Sequence, residues 1–318
     1  MLRLVIAAAL AAGALLRAQG PPAPPRPQDP RAPSAPIARA PRTLRSSVEV
    51  TTVAVTVRDA EGHLSADLGR DTFTVFEDGE PQAITQFADQ RVPIGLGLLL
   101  DVSDSMFGAR IRDARAAVER FLLELLSPSD AFFVTAFNHQ SQLLTSWTSE
   151  PDTIRAALDS LHTFGSTAIY DAVLGALPLI DRRPRDRAAL VIISDGADTA
   201  SDATLRDVRA ALLRSDAFVY AIAIDSPGRA AINAGVNPEA LGEITNQTGG
   251  RTEVVHDAAE LNAATARIAD ELNTQYVLGY SSPHPGDGKY HSIRVKVNAV
   301  GYRVRARNGY LAVPTRHD

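Results

Sequence analysis

The chain contains no cysteine, one tryptophan and two methionines in 318 residues. The missing cysteines exclude disulfide stapling, thiol catalysis and thiolate metal sites, and with them the lipidated cysteine of a bacterial membrane anchor. Stability must therefore come from aliphatic packing, which a 45% hydrophobic composition can supply. Charge of neither sign dominates: 32 basic and 37 acidic residues leave a net charge of -5. That balance offers phosphate polymers no general attraction, so nucleic acid is set aside as a partner and a cation suits the chain better. Beyond the first residues no run is long and apolar enough to cross a bilayer, so no span is expected in the mature chain. Histidines His63, His139, His162, His256, His284, His291 and His317 show no short metal-ligand spacing, and no zinc site is suggested.

What is present begins with an export signal. Arg3 precedes an apolar run from Leu4 to Leu16, and Ala18, Gln19 and Gly20 follow. The run falls short of the roughly 20 apolar residues of a span, so residues 1–18 read as a signal peptide cleaved after Ala18. The mature chain is then expected in the periplasm, at the cell surface or outside the cell. Residues 19–45 are a proline-rich linker, in which Pro21, Pro22, Pro24, Pro25 and Pro27 alone forbid helix and sheet.

Residues 46–92 carry strand patterns. Val48 and Val50 alternate in one phase and Val53, Val55 and Val57 in the other, which predicts a bulge near Thr51 and Thr52. Asp78-Gly79, between strands through Phe76 and Ile84, predicts a hairpin turn. Over residues 93–273 the pattern changes to apolar runs alternating with amphipathic stretches, and Ser201 and Asn237 stand where helix N-caps are wanted. Strands apolar on both faces predict an α/β fold with a doubly wound, mostly parallel sheet covered on both sides. Residues 274–314 return to alternating strands. Each terminal β segment is marginal alone, so the two are expected to pair into a small antiparallel β-sandwich-like module beside the α/β domain. Arg294, Lys296, Arg303, Arg305 and Arg307 read as one solvated face of its last two strands.

In open parallel sheets, ligands bind beyond the carboxyl ends of the strands where strand order reverses. Asp101-Val102-Ser103-Asp104-Ser105 follows the apolar run Ile94–Leu100 and offers a carboxylate and two hydroxyls at alternate positions. Thr167 follows Gly165-Ser166 at a helix start, and Asp195 follows a strand ending at Ser194. Oxygen donors of this kind suit a hard divalent cation, with Mg²⁺ favoured and Mn²⁺ or Ca²⁺ as alternatives. Taken alone, the first motif could equally be a turn whose serines cap the next helix.

The combination D-x-S-x-S, a later G-S-T and then S-D-G resembles the metal-ion-dependent adhesion site of von Willebrand factor type A domains. The resemblance covers residues 93–273, and the whole chain is similar to bacterial exported proteins described as VWFA-related. It implies that Ser103, Ser105 and Thr167 touch the metal directly, while Asp101 and Asp195 act directly or through water. One departure is Asp104, where the family often has glycine.

Three functions are weighed. A phosphatase with Asp101 as nucleophile would need a general acid two residues on, where Ser103 stands. A dehydrogenase would need its glycines in the turn after the strand, whereas Gly95 and Gly97 fall within it. Recognition remains: a cation held largely by neutral hydroxyls keeps positive charge and an open position for a partner's Asp or Glu. The expectation is a non-enzymatic adhesion or assembly module, with a purely structural envelope role as the other alternative.

Overall fold

In a computed structural model of the chain, residues 50–195, 197–225 and 238–314 are described. The expected signal peptide, linker and Asn237 cap lie outside them.

The four apolar runs form the centre of a six-stranded sheet because each of them is covered on both faces. Its strands are β5 (Ile94–Asp101), β6 (Ala131–Phe137), β7 (Ser141–Thr148), β8 (Arg187–Ser194), β9 (Phe218–Ile224) and β10 (Thr252–Val255), ordered β10-β9-β8-β5-β6-β7. All neighbours are parallel except β6 and β7. Leu96, Leu98 and Leu100 pack under helices α1 (Ala109–Arg120), α2 (Pro151–Asp159) and α6 (Ala258–Thr274), through Ile111, Ile154 and Ile268 among others. Leu99 faces the other way, toward α3 (Ile169–Asp181), α4 (Leu205–Leu212) and α5 (Pro238–Thr248), with Val173, Val208 and Ile244. Gly97 lies in that second row because Phe133 crosses it: a Cβ there would stand 2.3 Å from the ring. Its role is close packing.

The terminal strands form two four-stranded antiparallel sheets. One is ordered β13-β1-β11-β4, from β1 (Val50–Arg58), β4 (Ile84–Ala88), β11 (Tyr276–Ser281) and β13 (Arg303–Ala306). The other is ordered β14-β12-β2-β3, from β2 (Phe73–Glu77), β3 (Glu80–Gln82), β12 (Tyr290–Val297) and β14 (Gly309–Leu311). Val53, Val55, Val75, Leu278 and Ile293 fill the space between the two sheets, with the Phe73 and Tyr276 ring centroids 4.9 Å apart. The Asp78-Gly79 turn forms as predicted, with φ of 50° and 90° at its two residues.

The structure corrects several expectations. Pairing of β1 with β11 runs without a break from Val50 opposite Ser281 to Val55 opposite Tyr276, so no bulge occurs at Thr51 and Thr52. The phase change arises because β1 is buried on both faces: Ala54 joins the core of the parallel sheet, and Thr56 accepts a hydrogen bond from Gln275 at 3.2 Å. Ser201 is not the cap of α4. That role belongs to Thr204, which forms a capping box with Asp207. The basic residues of the last strands do not share one solvated face. Arg305 pairs with the fully buried Glu271 of α6, whose carboxylate also takes Arg58 at 2.6 Å and Arg251 at 3.2 Å. Only Arg294 and Lys296 sit together, over the Phe76 ring.

Candidate cation site

Strand order reverses between β5 and β8, so their carboxyl ends form the rim of a crevice. Asp101 ends β5 and is wholly buried. One of its carboxylate oxygens accepts from the Ser103 amide at 2.8 Å and the other from the Ser194 hydroxyl at the end of β8. The Ser103 and Ser105 hydroxyls are 2.9 Å apart, and Ser105 donates to Asp195 Oδ1 at 2.5 Å. Four of the five expected residues, Asp101, Ser103, Ser105 and Asp195, thus lie in one hydrogen-bonded chain. Arg110, at the start of α1, closes it: one guanidinium nitrogen donates to Asp195 Oδ2 at 2.8 Å and to the Ser105 carbonyl at 2.7 Å.

The segment just before Thr167 is held to this rim through the backbone. The Phe164 amide donates to the Val102 carbonyl at 2.8 Å, and the Asp104 amide donates to the Gly165 carbonyl at 2.9 Å. This turn needs Gly165, whose φ is 79° and whose missing Cβ would meet the His139 ring at 2.6 Å. Thr167 is buried, and its carbonyl accepts from the amides of Thr199 and Ala200 at 2.8 and 3.0 Å. The loop after β8 is therefore laced to the loop before α3.

Other carboxylates nearby are committed elsewhere. Asp198 accepts from the Tyr170 amide in the first turn of α3 and from Ser201. Asp171 accepts from the amides of Asp202 and Ala203, which joins α3 to the approach of α4. Asp104 is exposed at the rim.

The electrostatics suit a cation. Burial pushes the Asp101 carboxyl up to about 6, with the Asp195 charge adding to the rise and hydrogen bonds from Ser194 and Ser103 opposing it. Burial likewise raises Asp195, against the pull of Ser105 and Arg110. Among the described residues no Lys, Arg or His nitrogen lies within 4.0 Å of the Asp101 carboxylate. Of these two buried acids, Asp195 alone has a guanidinium beside it. The donor set around them is all oxygen and rich in hydroxyls, which fits a hard divalent ion better than a soft one.

A second cluster was not legible in the sequence. Glu77, Asp78, His284 and His291 come together on the antiparallel sheets, where Asp78 and His291 are 213 positions apart along the chain. Only the strand pairing of β2 with β12 brings them into contact. The nearest signal was the Asp78-Gly79 turn itself, which marks a hairpin and says nothing of its neighbours.

The comparisons agree with this architecture. Residues 96–197 match the family model described as von Willebrand factor type A domain. A search of curated proteins finds no match. Among solved structures, von Willebrand factor type A from Catenulispora acidiphila is 13% identical and aligns over 86% of this chain and 78% of its own, with a TM-score of 0.51. The conserved hypothetical protein BatB from Bacteroides thetaiotaomicron is 19% identical over 56% of this chain and 97% of its own, with a TM-score of 0.46. The vWF domain of the type V pili tip protein Mfa5 from Porphyromonas gingivalis is 13% identical over 57% and 96%, with a TM-score of 0.44. The matched segment spans β5 to the end of β8 and contains every residue of the crevice, from Asp101 to Asp195. The chain thus has a fold of the von Willebrand factor type A kind, and its residues 96–197 match the model of that domain.

Proposed function

We propose that the chain is an exported, non-enzymatic binding module that recognises a partner's Asp or Glu side chain through one divalent cation, Mg²⁺ first among the candidates. Ser103, Ser105 and Thr167 would hold the cation directly, and Asp101 and Asp195 would do so directly or through water. When bound, the cation supplies a positive charge with a coordination position left for a carboxylate. The protein's part is to keep that position rigid: Ser194 and the Ser103 amide fix Asp101, and Arg110 fixes Asp195.

The observation that carries this reading is the surface around the crevice. Phe107 is 77% exposed and Phe164 55% exposed, on the two loops that the Asp104–Gly165 and Phe164–Val102 hydrogen bonds join. Two bare aromatic rings beside a cation site suit a protein partner, which can cover them, better than a small substrate. A phosphatase reading is disfavoured, because Ser103 stands where a general acid would be required. The expected N-terminal signal, Arg3 followed by the apolar run from Leu4 to Leu16, supports export.

The test is capture from envelope extract on immobilised chain, with Mg²⁺ or with chelator, alongside Asp101→Asn and Ser103→Ala. A partner set held in Mg²⁺ and lost on chelation or in either folded variant is expected. An identical set under all conditions refutes cation-dependent recognition, and unfolding of both variants favours the structural alternative.

A further inference from the structure

The cluster at the Asp78-Gly79 turn combines features that a simple ion-pair hub does not need. Glu77, the last residue of β2, is fully buried, and among the described residues the only cationic group within 4.0 Å of its carboxylate is His291, at 3.9 Å. Its other contacts are hydroxyls: Ser282 donates to it at 2.7 Å and Tyr310 at 3.4 Å. The Tyr280 hydroxyl is buried against the same carboxylate. A buried carboxylate with so little countercharge is costly unless a cation joins it.

The surrounding groups point the same way. His291 is buried, with Nδ1 2.7 Å from Asp78 and Nε2 3.0 Å from Asp287. A carboxylate on the far nitrogen is the usual way a metal-binding imidazole is oriented, and here Asp287 occupies that position. His284 stacks on His291 with ring centroids 4.6 Å apart and planes within 4°. Ser282 sets this stack by accepting from the His284 amide at 3.0 Å while donating to Glu77. One donor atom from each of Glu77, Asp78, His284 and His291 lies within 4.8 Å of every other. Tetrahedral bonds of about 2.0–2.2 Å require donors about 3.3–3.6 Å apart. Asp78 and His284 are both exposed, so on binding His284 turns out of its stack on His291 and the two residues close that gap.

We propose that Glu77, Asp78, His284 and His291 form a second cation site, taking one transition-metal dication of the zinc class and clamping the hairpin of β2 and β3 to the loop between β11 and β12. Two imidazoles with two carboxylates make a mixed nitrogen and oxygen set, which suits Zn²⁺ and its neighbours and not Mg²⁺ or Ca²⁺. On binding, the His291 Nδ1–H···Asp78 contact gives way to two bonds to the ion, and any proton on Nδ1 leaves to solvent. The site joins a residue pair before the von Willebrand domain to a residue pair after it. It is independent of the crevice at Asp101.

The test is calorimetric titration of the untagged full chain with Zn²⁺ in excess Mg²⁺, repeated on His284→Ala and Ser105→Ala. Removing even an outer partner of a bound metal costs about 10–100-fold in affinity. His284→Ala is therefore expected to weaken Zn²⁺ binding by at least about tenfold, whereas Ser105→Ala matches wild type. His284 is exposed, so its loss leaves the fold intact, which circular dichroism checks. X-ray absorption of the loaded wild type is expected to show imidazole in the metal shell. Zn²⁺ heat that is absent from wild type, unchanged by His284→Ala, or lost in Ser105→Ala instead overturns the proposal, as does a metal shell without imidazole.

Discussion

Arg110 and Asp195 form an ion pair of 2.8 Å in which the carboxylate is almost wholly buried and the guanidinium is 24% exposed. The same nitrogen holds the Ser105 carbonyl, so one side chain both offsets the charge of the crevice and positions a hydroxyl donor. Arg110→Met is expected to cost about 1–3 kcal/mol in chelator, less than a fully buried pair because the arginine is part-exposed. In saturating Mg²⁺ the cost should shrink, since a cation beside Asp195 replaces the lost charge. Urea denaturation with and without Mg²⁺ measures both, and equal costs would place Asp195 outside the cation's influence.

Phe107 and Phe164 make a different prediction, because they border the crevice without belonging to it. The double substitution Phe107→Ser and Phe164→Ser is expected to weaken partner capture by about tenfold or more, as loss of aromatic anchors at an interface commonly does. Mg²⁺ affinity should be unchanged. Parallel loss of Mg²⁺ affinity would show that the rings support the loops rather than meet a partner.

Glu271 concentrates three guanidinium groups, from Arg58, Arg251 and Arg305, on one carboxylate with no exposure. Glu271→Gln leaves those charges without their shared counterion and is expected to destabilise the chain by about 3–5 kcal/mol. Arg58→Ala removes one partner of three and should cost far less. Chemical denaturation of the two variants compares them, and equal losses would mean that Arg58 alone carries the cluster.

Asp207 provides a pH dependence. Hydrogen bonds from the Thr204 hydroxyl and amide hold its carboxyl below the ordinary value. A lowered folded value means the capping box contributes fully above the unfolded carboxylate range of about 3.9 and is lost as pH falls through the folded value. Thr204→Val should return the Asp207 titration toward the ordinary range, as followed by NMR. A titration unmoved by Thr204→Val would assign the shift to another source.

Much of this architecture was legible because its signals are local. Ile94–Leu100 is apolar throughout, and a strand covered by helices on both faces needs nothing else. Asp101 and Asp195 stood out because each follows such a run, and strand ends converge in an open sheet. What escaped reading depended on distant partners. Ser141–Thr148 has no clean alternation, since β7 is an edge strand paired to β6 with breaks in register. Ala54 and Thr56 gave no hint that the second face of β1 rests on the α/β core. Histidines read for short spacing could not reveal that His291 meets Asp78 across paired strands. Arg305 looked like a surface charge until its partner, Glu271 on α6, was in view.

The long register between β1 and β11 bears on how the molecule carries load. β1 lies antiparallel to β11 and β13 together, and the β11 side leads back through α6 to the domain that holds the crevice. Tension applied at the amino end of β1 and resisted by a partner seated at Asp101 would draw the two antiparallel strands apart along their length. In that shear geometry every rung from Val50–Ser281 to Val55–Tyr276 is stressed at once. The same strands peeled from one end would yield rung by rung. The joint is therefore strongest when load runs along β1 and weakest when that strand is peeled from one end.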